Sequence, residues 1–185
     1  MACGINYTLF GDEHPEASVR SQSLEVRDAV PVAIERAVDL GDAIDQMAVA
    51  GGSAGGCLAL IYAYRDGAKA PVPLRMVFEA VGPASMNRED WASYGLDKDA
   101  DAAAGLLGTM AGVTLTPEEV ESGEYLEKAR DVSAVDWVGP EPAPMREGNE
   151  NEDRNSRNLP LHRTGENCRH LPARLGAFVC AAKGH

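Results

Sequence analysis

Apolar and polar positions follow two different periods along the first half of the chain, and their order predicts an α/β fold. Residues 5–10 are rich in β-forming side chains and predict a short strand. Two continuous apolar runs, 46–50 and 74–81, are typical of strands buried on both faces of a sheet. Helical patterns separate these runs, so we expect strand–helix–strand units and a parallel sheet.

Two helices are predicted between the strands. The first begins after Asp28, a suitable N-cap, and ends at Gly41. Pro31 then occupies the third helical position, where its missing N–H removes no helical hydrogen bond. The second covers residues 57–64 and directly follows the glycine-rich segment 51–56.

A mostly helical segment at about 84–138 follows the last predicted strand. It contains a predicted helix over 100–110 and a second one that begins with a capping box, in which Thr116 is the N-cap, Pro117 is the first helical residue and Glu119 closes the box. Such an insertion is the usual form of a cap over the carboxyl edge of a sheet. The alternative, that these helices cover one face of the sheet, stays open.

The charge distribution divides the 185 residues into one domain and a tail. Residues 1–144 carry 10 Lys+Arg and 24 Asp+Glu, whereas residues 145–185 carry 7 and 5. The tail is polar and aperiodic, so we expect it to be poorly ordered. Only 171–182 is apolar enough to dock as a short helix or strand, and the Pro-rich run 139–144 predicts the boundary.

Composition excludes several classes of protein. The formal net charge of −12 argues against nucleic acid and anionic membrane as partners. No apolar run approaches the roughly 18–20 residues that span a bilayer. The four cysteines form neither a C-x-x-C pair nor a zinc-finger spacing, so we expect a reduced, cytoplasmic protein with no disulfide framework and no metal site.

The chemistry-bearing motif is Gly51-Gly-Ser53-Ala54-Gly55, which fits G-x-S-x-G between a predicted strand and a predicted helix. In this turn the serine is strained, and side chains at the two outer glycine positions would clash with strand and helix. The Ser53 hydroxyl would project at the carboxyl edge of the sheet. The N–H of Ala54, at the helix N-terminus, could donate to a developing oxyanion.

Two other interpretations of this segment compete with a nucleophile elbow. A phosphate-binding loop would need a lysine that is absent, and G-x-G-x-x-G fails because Ser53 takes the place of the second glycine. An inert glycine-rich turn at a helix start remains as the structural alternative. The flanking strand and helix, together with Gly56, favour the elbow.

Three segments resemble α/β-hydrolases of the esterase/lipase branch. Residues 49–60, Val-Ala-Gly-Gly-Ser-Ala-Gly-Gly-Cys-Leu-Ala-Leu, resemble the nucleophile elbow of that family. Residues 5–9, Ile-Asn-Tyr-Thr-Leu, resemble the strand ahead of the helix that precedes the elbow. Residues 74–83 resemble the next strand, followed by a cap with a tryptophan, here Trp91. The resemblance covers about residues 4–140.

The resemblance implies a serine hydrolase that needs no cofactor and acts on small carboxylic esters. Ser53 would attack the acyl carbon, a histidine would take its proton, and an acid would orient the histidine. The alternative is a catalytically silent hydrolase-like protein that binds a small molecule or a partner chain. Covalent labelling of Ser53 by an organophosphonate distinguishes the two.

The sequence departs from the family pattern at three places. The family's His-Gly-Gly loop is not found before the Asn-Tyr strand, and neither its Gly-x-x-Asp nor its His-Gly setting is found after Pro144. None of the histidines is favoured as the base; they are His14, His162, His170 and His185. We therefore expect an incomplete hydrolase core, from a truncated, frame-altered or diverged gene, whose exposed sheet edge permits self-association.

Overall fold

The computed structural model describes residues 1–139, 145–147 and 177–182. Its strands are β1 (Ala2–Ile5), β2 (Gln46–Gly52), β3 (Leu74–Ala80), β4 (Met145–Glu147) and β5 (Ala177–Ala182). Its α-helices are α1 (Val19–Asp39), α2 (Ala54–Ile61), α3 (Ala100–Ala111), α4 (Pro117–Ser122) and α5 (Tyr125–Ala129). Shorter helical segments are a π-helix at Tyr62–Asp66 and 3₁₀-helices at Gly67–Lys69, Arg88–Tyr94, Arg130–Val132 and Ala134–Trp137.

The strands form one mixed sheet in the order β1-β5-β2-β3-β4. β2 and β3 are parallel, with Val49 opposite Val77, and β4 adds to β3 in parallel. β5 runs antiparallel to both of its neighbours, β1 and β2. The predicted mixture of helices and strands, with a parallel β2–α2–β3 unit, is confirmed. A complete α/β-hydrolase core is not seen in the described residues, and the sheet is mixed, not parallel throughout.

The apolar segment 171–182, expected to dock as a helix or strand, contains β5. β5 lies between β1 and β2, so the last part of the chain is a central strand of the sheet. The predicted boundary at 140–144 lies outside the described residues, and so does the tail that was predicted to be poorly ordered, 145–185, except for residues 145–147 and 177–182.

The first helix begins much earlier than predicted. Its N-cap is Ser18, not Asp28: the Ser18 hydroxyl accepts from the N–H of Ser21, and the Ser21 hydroxyl accepts from the N–H of Ser18. This reciprocal pair satisfies donors that would otherwise lack partners at the helix start. Pro31 consequently lies in the helix interior, where its missing N–H does remove a helical hydrogen bond. The end at Gly41, with φ of 91°, is as predicted.

The first strand also differs from its prediction, since it ends at Ile5 where the predicted strand was to begin. Side chains from α1 bind the backbone that the predicted strand would have used. Gln22 Nε2 donates to the carbonyl of Thr8 at 2.8 Å, and the N–H of Thr8 donates to Glu25 Oε2 at 2.7 Å. The backbone of Thr8 is therefore hydrogen-bonded to α1 and is not part of the sheet.

The core surrounds α2, whose residues from Gly55 to the helix end are all buried. A helix that is apolar on every side is expected at the centre of a domain. It contacts β2, β3, β5 and α1. The π-helix that follows α2 contains a nearly buried ion pair, in which Arg65 Nη2 lies 2.7 Å from Asp66 Oδ2. Arg65 Nη1 also donates to Ser23 Oγ and to the carbonyl of Asp131.

The segment after β3 is helical, as predicted. The capping box of α4 is present, with Glu119 donating its N–H to Thr116 Oγ1 at 3.3 Å and the N–H of Thr116 donating to Glu119 Oε2 at 3.1 Å. α3 packs against α1, α4 and α5. The two ends of the insertion meet where Val135 donates its N–H to the carbonyl of Ala84. No helix in the described part of the chain is both long and apolar enough to cross a membrane.

Candidate active site

Ser53 is the single residue between the end of β2 at Gly52 and the start of α2 at Ala54. Its backbone has φ of 51° and ψ of −122°. A positive φ is uncommon for a residue other than glycine and costs free energy. The N–H of Ser53 donates to the carbonyl of Ala80 at 2.8 Å, and its carbonyl accepts from the N–H of Cys57 at 3.1 Å. Hydrogen bonds on both sides therefore hold the strained residue in place.

The glycines around Ser53 permit contacts that a side chain would prevent. A Cβ on Gly51 would lie 2.0 Å from the carbonyl oxygen of Gly55 and 2.7 Å from the nitrogen of Gly56. Real Cβ atoms do not approach backbone this closely, so the strand end and the first turn of α2 require glycine at position 51. The predicted steric role of Gly51 is supported by this distance.

Gly82, which lies two residues after the end of β3, also packs closely against the first turn of α2. A Cβ on Gly82 would lie 2.6 Å from the nitrogen of Cys57 and 2.9 Å from the Cα of Gly56. The chain after β3 is thus pressed against the first turn of α2. In the sequence, Gly82-Pro83 indicates only the end of a strand, and nothing there connects Gly82 with the elbow.

The side chain of Ser53 is exposed to solvent, and so is Ala54. The N–H of Ala54 belongs to the first turn of α2, whose N–H groups have no partner inside the helix. The helix dipole adds positive potential at this end. No acidic residue lies in the first turn of α2 to compete for it. The N–H groups at this end can therefore donate to an acceptor next to the Ser53 hydroxyl.

The carboxylate of Glu79 lies beneath this turn. Glu79 is only 5% exposed and stands opposite Gly51 in the β2–β3 pair. Its Oε2 accepts the N–H of Gly82 at 2.7 Å and would lie 3.3 Å from a Cβ on Gly56. A buried carboxylate is costly unless hydrogen bonds compensate. Sequence reasoning did not single out Glu79, because one glutamate in an apolar strand gives no signal.

Cys57, one turn into α2, is not a second nucleophile. Burial raises the pKa of its thiol to about 12, with a smaller contribution from the nearby Glu79 carboxylate. The nucleophilic form of cysteine is the thiolate, which is scarce at neutral pH when the pKa is that high. Ser53 is therefore the better candidate for covalent chemistry at this turn.

The structure does not bring a base to Ser53 within the residues it describes. In residues 1–139 no hydrogen-bond partner of the Ser53 hydroxyl is found. His14 lies in an exposed loop, where its Nδ1 is 3.3 Å from Glu16 Oε1. The other three histidines lie outside the described residues; they are His162, His170 and His185.

No cluster of three or more metal-ligating side chains is found in the described ranges. One surface cavity of about 500 Å³ lies between the loop at 15–17 and the glycine-rich face of α3, and another lies between β1 and α1. Neither of these two cavities is lined by Ser53.

Comparison with known proteins gives no relative for this chain. No protein-family model, no curated protein sequence and no solved structure matches it. What can be said about its function therefore depends on the residues around Ser53.

Proposed function

We propose that the chain is a serine hydrolase of the α/β-hydrolase esterase/lipase type and that Ser53 attacks carboxylic esters. The observation that carries this proposal is the strained backbone of Ser53, with φ of 51° and ψ of −122°, at a strand-to-helix turn. Strain at an exposed polar residue is a reason to look for function, because selection for stability alone would remove it. The same geometry in nucleophile elbows exposes the serine Oγ at the edge of a sheet.

The chemistry would proceed in two steps. Ser53 Oγ attacks the carbonyl carbon and loses its proton to a base, and the alcohol leaves with a proton to give an acyl-serine ester. Water then attacks that ester, which releases the acid and restores the hydroxyl. The N–H of Ala54, in the first turn of α2, would donate to the oxyanion of each tetrahedral intermediate.

The alternative is a catalytically silent protein of similar architecture that binds a small molecule or a partner chain. The observation that favours it is the missing hydrogen-bond partner of the Ser53 hydroxyl within residues 1–139. A serine without an adjacent base is a weak nucleophile. For this reason we expect the purified chain to hydrolyse short esters only slowly, even if Ser53 is labelled.

The test is labelling of the full chain by an alkyl fluorophosphonate, followed by peptide mass mapping. The proposal predicts one adduct, on Ser53, that is lost in Ser53→Ala. Ser122→Ala is the matched control, because Ser122 is also an exposed serine but lies at the end of α4. Labelling spread equally over several serines, or none at Ser53, would favour the silent alternative.

A further inference from the structure

Val81 is the second strained residue of the described structure. Ser53 and Val81 are the two residues other than glycine with positive φ in the described ranges, and φ of Val81 is 54°. For a β-branched side chain this region is a true outlier, because the branched Cβ crowds the backbone. Such a conformation persists only where surrounding contacts impose it.

The two strained residues lie side by side. Gly52 and Ala80 are partners in the parallel β2–β3 pair, and each strained residue directly follows one of them. The hydrogen bond from the N–H of Ser53 to the carbonyl of Ala80 joins the two strand ends at 2.8 Å. Val81 therefore stands at the same carboxyl edge of the sheet as the proposed nucleophile.

Core packing does not explain the strain at Val81. The residue is 63% exposed, so its apolar side chain gains little from burial. A polar residue or glycine would fit the backbone at lower cost and would lose little packing. An exposed aliphatic side chain held at a strained position beside Ser53 needs another explanation.

The side chain of Glu79 forms a hydrogen bond across the turn that contains Val81. Its carboxylate accepts the N–H of Gly82 at 2.7 Å and so spans the turn that contains Val81. Gly82 in turn is pressed against the first turn of α2, where a Cβ would lie 2.6 Å from the nitrogen of Cys57. The buried carboxylate and the close packing of Gly82 thus connect the turn after β3 to the first turn of α2, which begins at Ala54.

We propose that Val81 is a specificity-determining residue that contacts the aliphatic acyl chain of the substrate, and that Glu79 is the positioning residue that holds it there. This inference rests on the proposed function of Ser53. It adds the substrate class, esters with an aliphatic acyl group, since an exposed valine favours an apolar neighbour over a charged one. The gain or loss of one such hydrophobic contact with the substrate changes the reaction rate by about tenfold.

The experiment compares ethyl and octyl fluorophosphonates, whose alkyl chain on phosphorus stands in for the acyl chain. In each reaction the Ser53 Oγ–P bond forms, the P–F bond breaks, and fluoride and the serine proton leave to solvent. The readout is the ratio of the octyl to the ethyl labelling rate at Ser53. We expect a ratio above one for the unaltered chain, and about a tenfold lower ratio for Val81→Asn. Asparagine tolerates positive φ, so the backbone is kept.

Val38→Asn is the matched control, because Val38 is also exposed but lies on α1, and it should keep the ratio. Glu79→Gln keeps an oxygen acceptor for Gly82 and should retain the ratio, whereas Glu79→Ala should lower it. An unchanged ratio in Val81→Asn, with Ser53 still labelled, overturns this inference and leaves the proposed function intact. Absence of Ser53 labelling by both probes overturns the proposed function and this inference together.

Discussion

At the scale of single residues, backbone contact around Ser53 decides which side chains the turn tolerates. A Cβ on Gly51 would lie 2.0 Å from the carbonyl oxygen of Gly55, so Gly51→Ala must move the strand end or the helix. We expect this variant to lose about 1–3 kcal/mol of unfolding free energy, the usual cost of overpacking. Urea unfolding measures the loss.

Gly105→Ala is the control for Gly51→Ala. Nothing lies within 4 Å of a Cβ at Gly105, which is inside α3. Alanine is a better helix former than glycine, so this variant should gain about 0.5–1 kcal/mol. Equal effects of the two substitutions would mean that the close packing at Gly51 is not real.

Burial of titratable side chains in α2 and just after it predicts how stability depends on pH. Burial raises the pKa of Cys57 from 9.0 to about 12 and that of Tyr62 from 10.0 to about 12. The folded chain then binds more protons than the unfolded chain, at Cys57 between about pH 9 and 12 and at Tyr62 between about pH 10 and 12. The unfolding free energy should therefore fall as pH rises through these ranges. The slope is at most about 1.4 kcal/mol per pH unit for each group.

Urea unfolding at several pH values from 7 to 11 checks this dependence. Cys57→Ala removes the thiol and should make the decline shallower, beginning nearer pH 10 than pH 9. Cys3→Ala is the control, because Cys3 is only partly buried and lies on β1. An unfolding free energy that stays constant up to pH 11 would contradict the burial of both groups.

The residues of the candidate site differ in how far the sequence predicts them. The positions of Ser53, Ala54 and Gly51 follow from a local motif between a strand and a helix, and the structure places all three as expected. Glu79 and Val81 could not be predicted. Their relation to Ser53 depends on the register of two strands separated by a helix, and a valine carries no sequence signal for positive φ.

At the scale of elements, hydrogen-bonded polar residues hide the true start of α1. Gln22 and Ser23 are buried on the side of α1 that also buries Val26 and Val30. Their polarity interrupts the apolar stripe, so the pattern predicts a later start. Ser23 Oγ donates to the carbonyl of Arg20 at 2.7 Å and accepts from Arg65, which explains how it can be buried. The β2–α2–β3 unit has no such interruption and was predicted within a few residues.

The N-cap of α1 gives a test at this scale. Ser18→Ala removes the hydroxyl that accepts from the N–H of Ser21 and should cost about 1 kcal/mol of unfolding free energy. Asp28→Ala is the control, because Asp28 is exposed and its one ion pair within the described residues is with its neighbour Arg27. Thermal unfolding of both variants measures the difference. A larger loss from Asp28→Ala than from Ser18→Ala would support the later helix start.

At the scale of the whole molecule, the order of the strands in the sheet could not be predicted from the sequence. In the β2–α2–β3 unit, one helix separates two strands that pair with each other, so local patterns suffice to predict that pairing. β5 enters the sheet between β1 and β2 from a position about 125 residues beyond the end of β2. Its six residues are apolar, but nothing in them specifies which strands they join or in which direction.

The strand order leaves β1 at one end of the sheet. In the part of the chain that the structure describes, β1 pairs with β5 alone, so one side of its backbone is open. β1 carries no charged side chain and no proline, the features that usually prevent edge-to-edge pairing. We therefore expect two copies to associate through β1. The net charge of −12 opposes this at low salt, so association should strengthen as salt screens the repulsion.

Sedimentation velocity over a range of concentration and salt measures this association. Ala2→Lys puts a charge at an exposed position of β1 and should shift the protein towards monomer, since lysine on an edge strand disfavours pairing. Leu126→Lys makes the same change of charge on α5, away from the edge, and should leave the association as it was. If Ala2→Lys weakens association no more than Leu126→Lys does, β1 is not the interface.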